Sequence, residues 1–170
     1  MGQKAITVYT PAEDAAHINA EDDAMIYRAL LGETSCIGNI DGKLACTKVN
    51  DNTVRLSSGV FSNQGYMVCV PGGETADLTV TSGTSGQYRR DYVVSEFVRG
   101  GGATADAHVF KVIAGTPAAS EGAAAYPTLT QNDLTAGGAT RQEPLYGLLI
   151  QGTTLSSTIT RIAPLSGTYA

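Results

Sequence analysis

The sequence of 170 residues has no tryptophan, only two histidines and three cysteines, and charged residues make up only 16% of it. The cysteines Cys36, Cys46 and Cys69 are odd in number and form no C-x-x-C motif, so neither a disulfide framework nor a zinc ribbon is indicated. We therefore expect free, mostly buried thiols and a chain that folds in a reducing cytoplasm.

Long apolar runs and excess positive charge are also missing. No apolar run reaches the roughly 20 residues that a membrane-spanning helix needs, so we expect no membrane partner. The formal net charge is −5 and the sequence pI is about 4.9. Because nonspecific nucleic-acid binding depends on lysine and arginine against phosphate, we expect no nucleic-acid partner.

Side chains of the types that bind metal ions are too few and too scattered in this sequence to predict a metal site. His108 has Asp106 near it in sequence and Glu96 across a predicted hairpin, but a zinc site needs three or four ligands, so His108 is interpreted as a surface histidine. Glu21, Asp22 and Asp23 are consecutive, and helical neighbours point about 100° apart, so they cannot converge on one cation. We expect no metal and no cofactor.

Catalytic motifs are equally scarce. The sequence has no G-x-S-x-G elbow, P-loop or G-x-G-x-x-G motif. Glu96 and Asp91 are the nearest carboxylate pair of the kind that glycosidases use, but strand parity places them on opposite faces. The sequence therefore predicts that the protein is not an enzyme.

What the sequence does have, 20 glycines and many β-forming segments, predicts a mainly β protein. We expect an antiparallel sheet or β-sandwich-like domain with one short N-terminal α-helix, in a single domain over residues 1–170. Residues 1–32 would hold a strand at Lys4–Tyr9 and the helix. Residues 33–163 would form the sheet domain with a long connection at 115–144, and residues 164–170 a tail.

One hairpin organises the predicted sheet. Its strands, residues 90–99 and 107–114, are rich in valine and aromatic residues and flank the glycines 100–102. Alternation places Asp91, Val93 and Phe97 on one face and Tyr92 and Glu96 on the other. Because both faces carry large apolar groups, we expect this hairpin to lie centrally in the sheet.

The predicted helix covers residues 20–31, with Asn19 as its N-cap and Gly32 as its stop. It carries an apolar stripe at helical spacing. The stripe consists of Met25, Ile26, Ala29 and Leu30. Since no second long helix is predicted, the stripe either covers the chain's own sheet or forms an assembly contact with another subunit.

Arg89, Arg90 and Asp91 form the one charged cluster that stands out. Two interpretations remain open. The cluster is a subunit-interface or anion contact, or it is an arginine–aspartate pair that pins the start of a strand, which is the interpretation we favour.

Several segments together resemble a domain found in tail-fibre and baseplate-appendage proteins of tailed bacteriophages. They are the helix N-A-E-D-D-A…Y followed by glycine, the run S-S-G-V-F-S-N-Q-G-Y-M-V-C-V, the pair R-D entering a strand, the motif G-T-P-A-A, and a P-L strand after the Pro-rich connection. The resemblance rests on the order and spacing of these segments, which extend from Asn19 to Ile162.

The resemblance implies a structural virion protein, a tail, baseplate or fibre-appendage component with a place in host attachment. Such a protein acts through self-association and by docking to neighbouring tail proteins, and symmetric oligomers, with trimers favoured, are the expectation. It would be located in the virion after folding and assembly in the cytoplasm of the bacterial host.

Two other functions are compatible with parts of the sequence. The alternative is a carbohydrate-binding module for host cell-wall saccharides, with Tyr88, Tyr92 and Tyr126 as the rings that stack on sugars. The absence of tryptophan weakens this alternative without removing it. The second is a polysaccharide-degrading enzyme, which would need a pair of facing carboxylates that this sequence does not offer.

Overall fold

The computed structural model describes residues 20–101 and 104–167. Within them the chain is mainly β, with two antiparallel sheets and one helix, so the predicted β-sandwich-like class is confirmed. The predicted strand Lys4–Tyr9 and the predicted cap Asn19 lie outside the described residues.

The first sheet is built around one long strand. Its strands are β1 (Cys36–Ile37), β2 (Cys46–Asn50), β3 (Thr53–Asn63) and β4 (Tyr66–Thr79). β4 pairs with β3 along one edge, and β1 and β2 share the other edge, all antiparallel. The two ends of β3 therefore pair with different strands on the same side.

The second sheet contains the predicted hairpin. Its strands are β5 (Tyr88–Val98), β6 (Ala107–Ile113), β7 (Thr140–Gln151), β8 (Thr154–Leu155) and β9 (Thr160–Arg161). The order is β6-β5-β7, with β8 and β9 on the far edge of β7. Of the two hairpin strands only β5 is central, because β6 pairs with β5 alone. The expectation of a central hairpin therefore holds for its first strand and is wrong for its second.

Two segments with the composition of turns lie inside strands of the first sheet. β3 runs through Ser57–Gly59 and β4 runs through residues 71–73, because the register passes from Ser57 opposite Thr75 to Gly59 opposite Val70. The extra residues of β4 bulge out of the ladder instead of turning the chain. The tight turn is at Gln64–Gly65, where both residues have positive φ (50° and 90°), as two-residue hairpin turns require.

The core fills the space between the two sheets. It draws on alternating residues of both sheets, and each large side chain buried there contributes about 1.5–3 kcal/mol relative to exposure. Its fully buried members include Val54, Leu56 and Phe61 of β3, Val93 of β5, and Leu145, Leu148 and Ile150 of β7. The main core is therefore shared by the two sheets.

The long connection between β6 and β7 is held against the domain by hydrogen bonds and by a buried side chain. Ala118 exchanges two backbone hydrogen bonds of 2.8 Å with Tyr88 at the start of β5. Two short 3-10 turns, Glu121–Ala123 and Leu134–Ala136, punctuate it, and Leu134 is buried. The connection therefore forms part of the body of the domain.

The predicted tail is also anchored over the part that the structure describes. The backbone N–H of Ile37 donates to the carbonyl of Pro164 at 2.9 Å, and Ser166 N–H donates to the carbonyl of Ile37 at 2.7 Å. Leu165 lies parallel to β1 and packs against the core. The boundary predicted at 163 is therefore wrong, because the domain continues through Ser166.

Candidate functional site

The helix α1 covers Ala20–Leu31, the predicted range, and ends as predicted at Gly32, whose N–H donates to the carbonyl of Arg28 at 2.8 Å. Its buried residue is Ala24, which packs into a small cluster with Tyr66, Phe97 and Leu134. The helix therefore lies across one end of the sandwich on a narrow contact.

Two features fix the helix in place. Gly65 in the β3–β4 turn lies so close that a Cβ there would overlap the carbonyl of Ala24, so a side chain at this position would push the helix away. Arg99, at the end of β5, donates to Glu21 at 2.7 Å and to the Tyr66 hydroxyl at 3.1 Å. An ion pair and a close backbone contact thus orient α1 on the sheet.

The predicted apolar stripe faces away from the core of the chain. Met25 is 54% exposed and Leu30 is 57% exposed. Ala29 is exposed as well, and Ile26 is half-buried. The first of the two alternatives for the stripe, that it covers the chain's own sheet, is therefore wrong for Met25, Ala29 and Leu30, and these residues form an apolar surface.

Beside this stripe lies an apolar cleft of about 380 Å³, which we call the α1 cleft. The second half of α1 forms one wall, and the outer face of the first sheet forms the other. Residues from β1, β3, β4 and the loop after β1 complete it. The lining includes Tyr27, Leu30, Leu31, Ile40, Val60 and Met67.

One polar atom in the lining of the α1 cleft lacks a partner. Asn39 lines the cleft, and its Oδ1 is buried without a hydrogen bond. Its backbone N–H donates to Ser166 Oγ at 3.0 Å, which holds this loop against the chain's anchored end. A buried amide oxygen without a donor carries a cost in free energy.

Arg89 and Asp91 form a buried pair. Arg89 Nε donates to Asp91 Oδ1 at 2.8 Å, and their side chains are 7% and 0% exposed. Arg89 also donates to the carbonyls of Thr81 and Ser82, and Asp91 Oδ1 accepts from Gly115 N–H at 3.0 Å. These contacts are the strand-pinning arrangement, and because both side chains are buried the pair has no surface for a subunit contact.

Arg90 lies on the opposite face, where it contacts the long connection. Its NH2 donates to Glu121 at 3.1 Å, and its guanidinium lies 5.7 Å from the ring centre of Tyr126. Both partners belong to the segment between β6 and β7. Arg90 thus helps to hold that segment on the outer face of the second sheet.

The three candidate saccharide-stacking tyrosines make contacts of their own. Tyr92 and Tyr126 stack on each other with ring centres 4.2 Å apart and planes 7° apart. Tyr126 also lies against Gly147, where a Cβ would overlap its hydroxyl. Tyr88 accepts a hydrogen bond of 3.3 Å from Gln151. The structure brings Tyr92 and Tyr126 together as a packed pair and not as an open platform.

His108 is not the surface residue that the sequence suggested. It faces inward from β6, and its Nε2 lies 2.6 Å from Ser95 Oγ. Burial lowers the pKa of His108 to about 4. A serine beside a histidine is a nucleophile–base arrangement, but Ser95 is 0% exposed. The pair is an interior hydrogen bond that no substrate reaches in this conformation.

Glu96 and Asp106, the two carboxylates near His108 in the predicted hairpin, are both hydrogen-bonded within the chain. Glu96 accepts from Lys111 at 2.7 Å and from Gln142 at 2.6 Å, on the face opposite His108. Asp106 accepts from the N–H of Gly100 at 2.7 Å. Across residues 20–101 and 104–167, no group of three or more His, Cys, Asp or Glu side chains is placed to hold a metal ion.

Sequence reasoning found the helix and its stripe but missed the α1 cleft. Asn39, Val60 and Met67 meet only because β1, β3 and β4 lie side by side, and no motif marks them in the sequence. In the part of the chain that the structure describes, no helix has the length and apolar character needed to cross a bilayer.

The fold and this surface define a β-sandwich-like domain with an exposed apolar helix face and cleft. No protein-family model matches the sequence. No curated protein matches it either.

Proposed function

We propose that this chain is a structural subunit of a tailed-bacteriophage particle, a tail, baseplate or fibre-appendage component that works by self-association and by docking to neighbouring tail proteins. The observation that carries the proposal is the apolar surface of α1, with Met25 and Leu30 more than half exposed beside the α1 cleft. The order of the phage-like segments along the sequence supports the class of particle.

The physical argument rests on apolar area. Each large apolar side chain left in water forgoes about 1.5–3 kcal/mol of burial, and a partner that covers several of them recovers that free energy. Tyr27, Leu30 and Ile40 are all exposed and line the same cleft, with Met25 on the helix beside them. Such a contiguous patch has the composition of the centre of a protein interface.

In this proposal the chain has no catalytic role and binds no cofactor. The buried polar groups stabilise the domain, and the surface of α1 carries the function. A closed symmetric oligomer, with a trimer favoured for a fibre or baseplate part, would bury the stripe. The subunit would fold in the host cytoplasm and then be built into the virion.

The test is the oligomeric state of the full chain by light scattering. We expect an oligomer for the native chain and a folded monomer for the double variant Met25→Asp/Leu30→Asp, because both side chains are exposed within one subunit. Val109→Asp is the matched control, since Val109 is 47% exposed on β6, away from α1. A native chain that stays monomeric at high concentration, or a double variant that still assembles, would overturn self-association through α1.

The alternative function, binding of a host cell-wall saccharide, has weaker support. Tyr92 and Tyr126 turn ring faces toward each other, and sugar stacking needs an open ring face. A glycan array or a cell-wall pull-down with the native chain separates the two functions. Binding that is lost in Tyr126→Ala but kept in Met25→Asp/Leu30→Asp would favour the saccharide function.

A further inference from the structure

We infer that His108 is an acid-sensitive latch, which holds the edge strand β6 against β4 while its ring is neutral and releases β6 when the ring takes up a proton. The ring makes hydrogen bonds to both sheets, with Ser95 of β5 and with the backbone of Met67 in β4. When β6 opens, the rest of the sandwich stays folded. The latch goes beyond the proposed function, because the exposed stripe of α1 takes no part in it.

The latch lies at the seam where the free edges of the two sheets meet. The strands β4 and β6 lie side by side there. In the described residues, however, β4 pairs with β3 alone and β6 pairs with β5 alone. A seven-residue strand with one neighbour has few backbone hydrogen bonds to lose, so it opens at a lower cost than a central strand. Side-chain contacts across the seam therefore matter for keeping β6 closed.

The neutral His108 ring is fully satisfied in the closed state. Its hydrogen bond with the Met67 backbone favours the protonated ring, so the ring N–H donates and the carbonyl accepts. A neutral imidazole has one donor and one acceptor nitrogen, so Nε2 accepts from the Ser95 hydroxyl at 2.6 Å. Phe97 meets the ring edge-on with centres 5.6 Å apart. Both nitrogens of the neutral ring therefore have partners.

A second proton on the ring has no place in this network. Protonated Nε2 becomes a donor to Ser95 Oγ, which already accepts from the Asn63 amide at 3.4 Å. The Ser95 hydroxyl then loses its own acceptor. Asn63 Oδ1 has no partner, but the amide can turn it toward Ser95 only by giving up the bond of 3.3 Å to the carbonyl of Arg141. The closed state therefore selects against the imidazolium, in the same direction as burial, which lowers the pKa of His108 to about 4.

The charged side chains on the elements around the ring already have partners. In the described part of the chain they are Arg141 with Glu143 of β7, Arg99 with Glu21 of α1, Lys111 with Glu96 on the outer face of the hairpin, and Asp106 with the N–H of Gly100. The groups of β3, β4 and β5 in the network, the Asn63 amide, the Met67 carbonyl and the Ser95 hydroxyl, are uncharged. An imidazolium therefore gains more from water than from the closed interior.

The test is hydrogen exchange of the full chain at pH 7, 6 and 5, read by mass spectrometry on peptides from β6 and from the central strand β3. We expect β6 to exchange well before β3 at each pH, because it opens without global unfolding. The protection of β6, corrected for the intrinsic exchange rate, should fall by at most about tenfold for each pH unit below 6.5. His108→Gln keeps a polar side chain that cannot take up the proton, so it should abolish this fall.

His17 provides the matched control, because it is the other of the two histidines and lies outside the described residues. His17→Gln should keep the acid response of β6. It also leaves His108 as the single histidine, so an NMR titration of this variant measures the protonation of that ring directly. The ring should stay neutral at pH 6 in the folded chain. This titration keeps the latch testable if His108→Gln fails to fold.

The latch is overturned by any of three results. The first is β6 exchange whose pH dependence is absent, or persists in His108→Gln. The second is equal protection of β6 and β3 at pH 5, which would show that only the whole domain opens. The third is a His108 ring that titrates near its ordinary value of 6.5 in the folded chain. None of these results bears on self-association through α1, which is tested by light scattering.

Discussion

Ser95 Oγ and His108 Nε2 lie 2.6 Å apart in the interior, between β5 and β6. The Asn63 side chain donates to the same hydroxyl at 3.4 Å, and Phe97 meets the histidine ring edge-on at 5.6 Å between centres. Burial disfavours the charged imidazolium and lowers the pKa of His108 to about 4, against the smaller effect of a backbone hydrogen bond with Met67. The histidine is therefore neutral in the folded state near pH 7.

This relationship predicts an acid-dependent stability. The folded pKa of about 4 is below the ordinary value of 6.5. The unfolded chain thus binds more protons between these values, and stability present above pH 6.5 is lost as the pH falls toward 4. The loss should approach at most about 1.4 kcal/mol per pH unit. Denaturant unfolding measured at pH 7, 6, 5 and 4.5 checks it.

His108→Gln is the control for this prediction, because it removes the titrating ring and keeps a polar side chain. Its unfolding free energy should vary less over the same pH range. Lys48 lowers the pKa of Asp51, and Arg55 lowers the pKa of Asp77, in both cases from 3.8. These two carboxyl groups therefore take up protons below the pH range of the experiment. An unchanged pH profile in His108→Gln would contradict the assignment.

The buried pair of Arg89 and Asp91 should matter far more than an exposed pair of the same chemistry. We expect Arg89→Ala to cost about 3–5 kcal/mol, because it leaves the Asp91 carboxylate buried and unpaired. Arg55 and Asp77 form the matched exposed pair, with side chains 44% and 46% exposed. Arg55→Ala should have a much smaller effect, because water screens an exposed ion pair. Equal losses in the two variants, measured by chemical denaturation, would refute this difference.

The three cysteines should react very differently with an alkylating reagent. Cys69 is exposed, while Cys36 is buried and Cys46 is half-buried. Burial raises the pKa of Cys36 and raises that of Cys46 to about 12, so neither forms appreciable thiolate near pH 8. Iodoacetamide at pH 8 should modify Cys69 alone in the folded chain. Intact mass spectrometry measures the number of adducts, and a denatured sample, in which all three thiols should react, is the control. More than one rapid adduct on the folded chain would contradict the prediction.

The same thiols predict no dependence of stability on reductant. All three cysteines are free in the structure, so no disulfide contributes to it. Dithiothreitol should leave the denaturation midpoint unchanged. A clear fall in the midpoint would mean that cysteines pair in solution, within a chain or between chains.

Gly147→Ala should disrupt the contact between the long connection and the second sheet. The new methyl group would overlap the hydroxyl of Tyr126 and displace its ring from Tyr92. We expect a loss of about 1–3 kcal/mol, the usual cost of overpacking. Gly122→Ala is the matched control in the same connection, because a Cβ there meets nothing within 4 Å. A thermal melt in which both variants behave like the native chain would refute the predicted clash.

Local patterns in the sequence were sufficient for the helix and for the strands of the hairpin. The acidic first turn, the apolar spacing and Gly32 give α1 the same bounds in prediction and structure. The alternation of β5 likewise predicted that Asp91, Val93 and Phe97 share one face, and the structure shows that this face is the buried one. Both patterns follow from the helical or extended geometry of a few consecutive residues. Residues close together in the sequence are therefore sufficient to predict them.

Glycine and proline were poorer guides. Ser57–Gly59 and residues 71–73 have the composition of turns, yet they lie opposite each other in one continuous strand pair as a bulge. Whether a glycine makes a turn or a bulge depends on the strand that pairs with it, and this pairing is not local. The predicted tail is a similar case. Its hydrogen bonds with β1 show that it is part of the domain, and those bonds are not visible in the sequence.

By itself the sequence determined the mainly β class, the bounds of α1 and the faces of β5, because each follows from the periodicity of consecutive side chains. Only the tertiary structure decided that the stripe of Met25 and Leu30 faces outward, that Arg89 and Asp91 are buried, and that Asn39 meets Met67 in one cleft. These outcomes depend on which elements pack together, and that packing is set by the summed burial and hydrogen bonding of residues far apart in the chain.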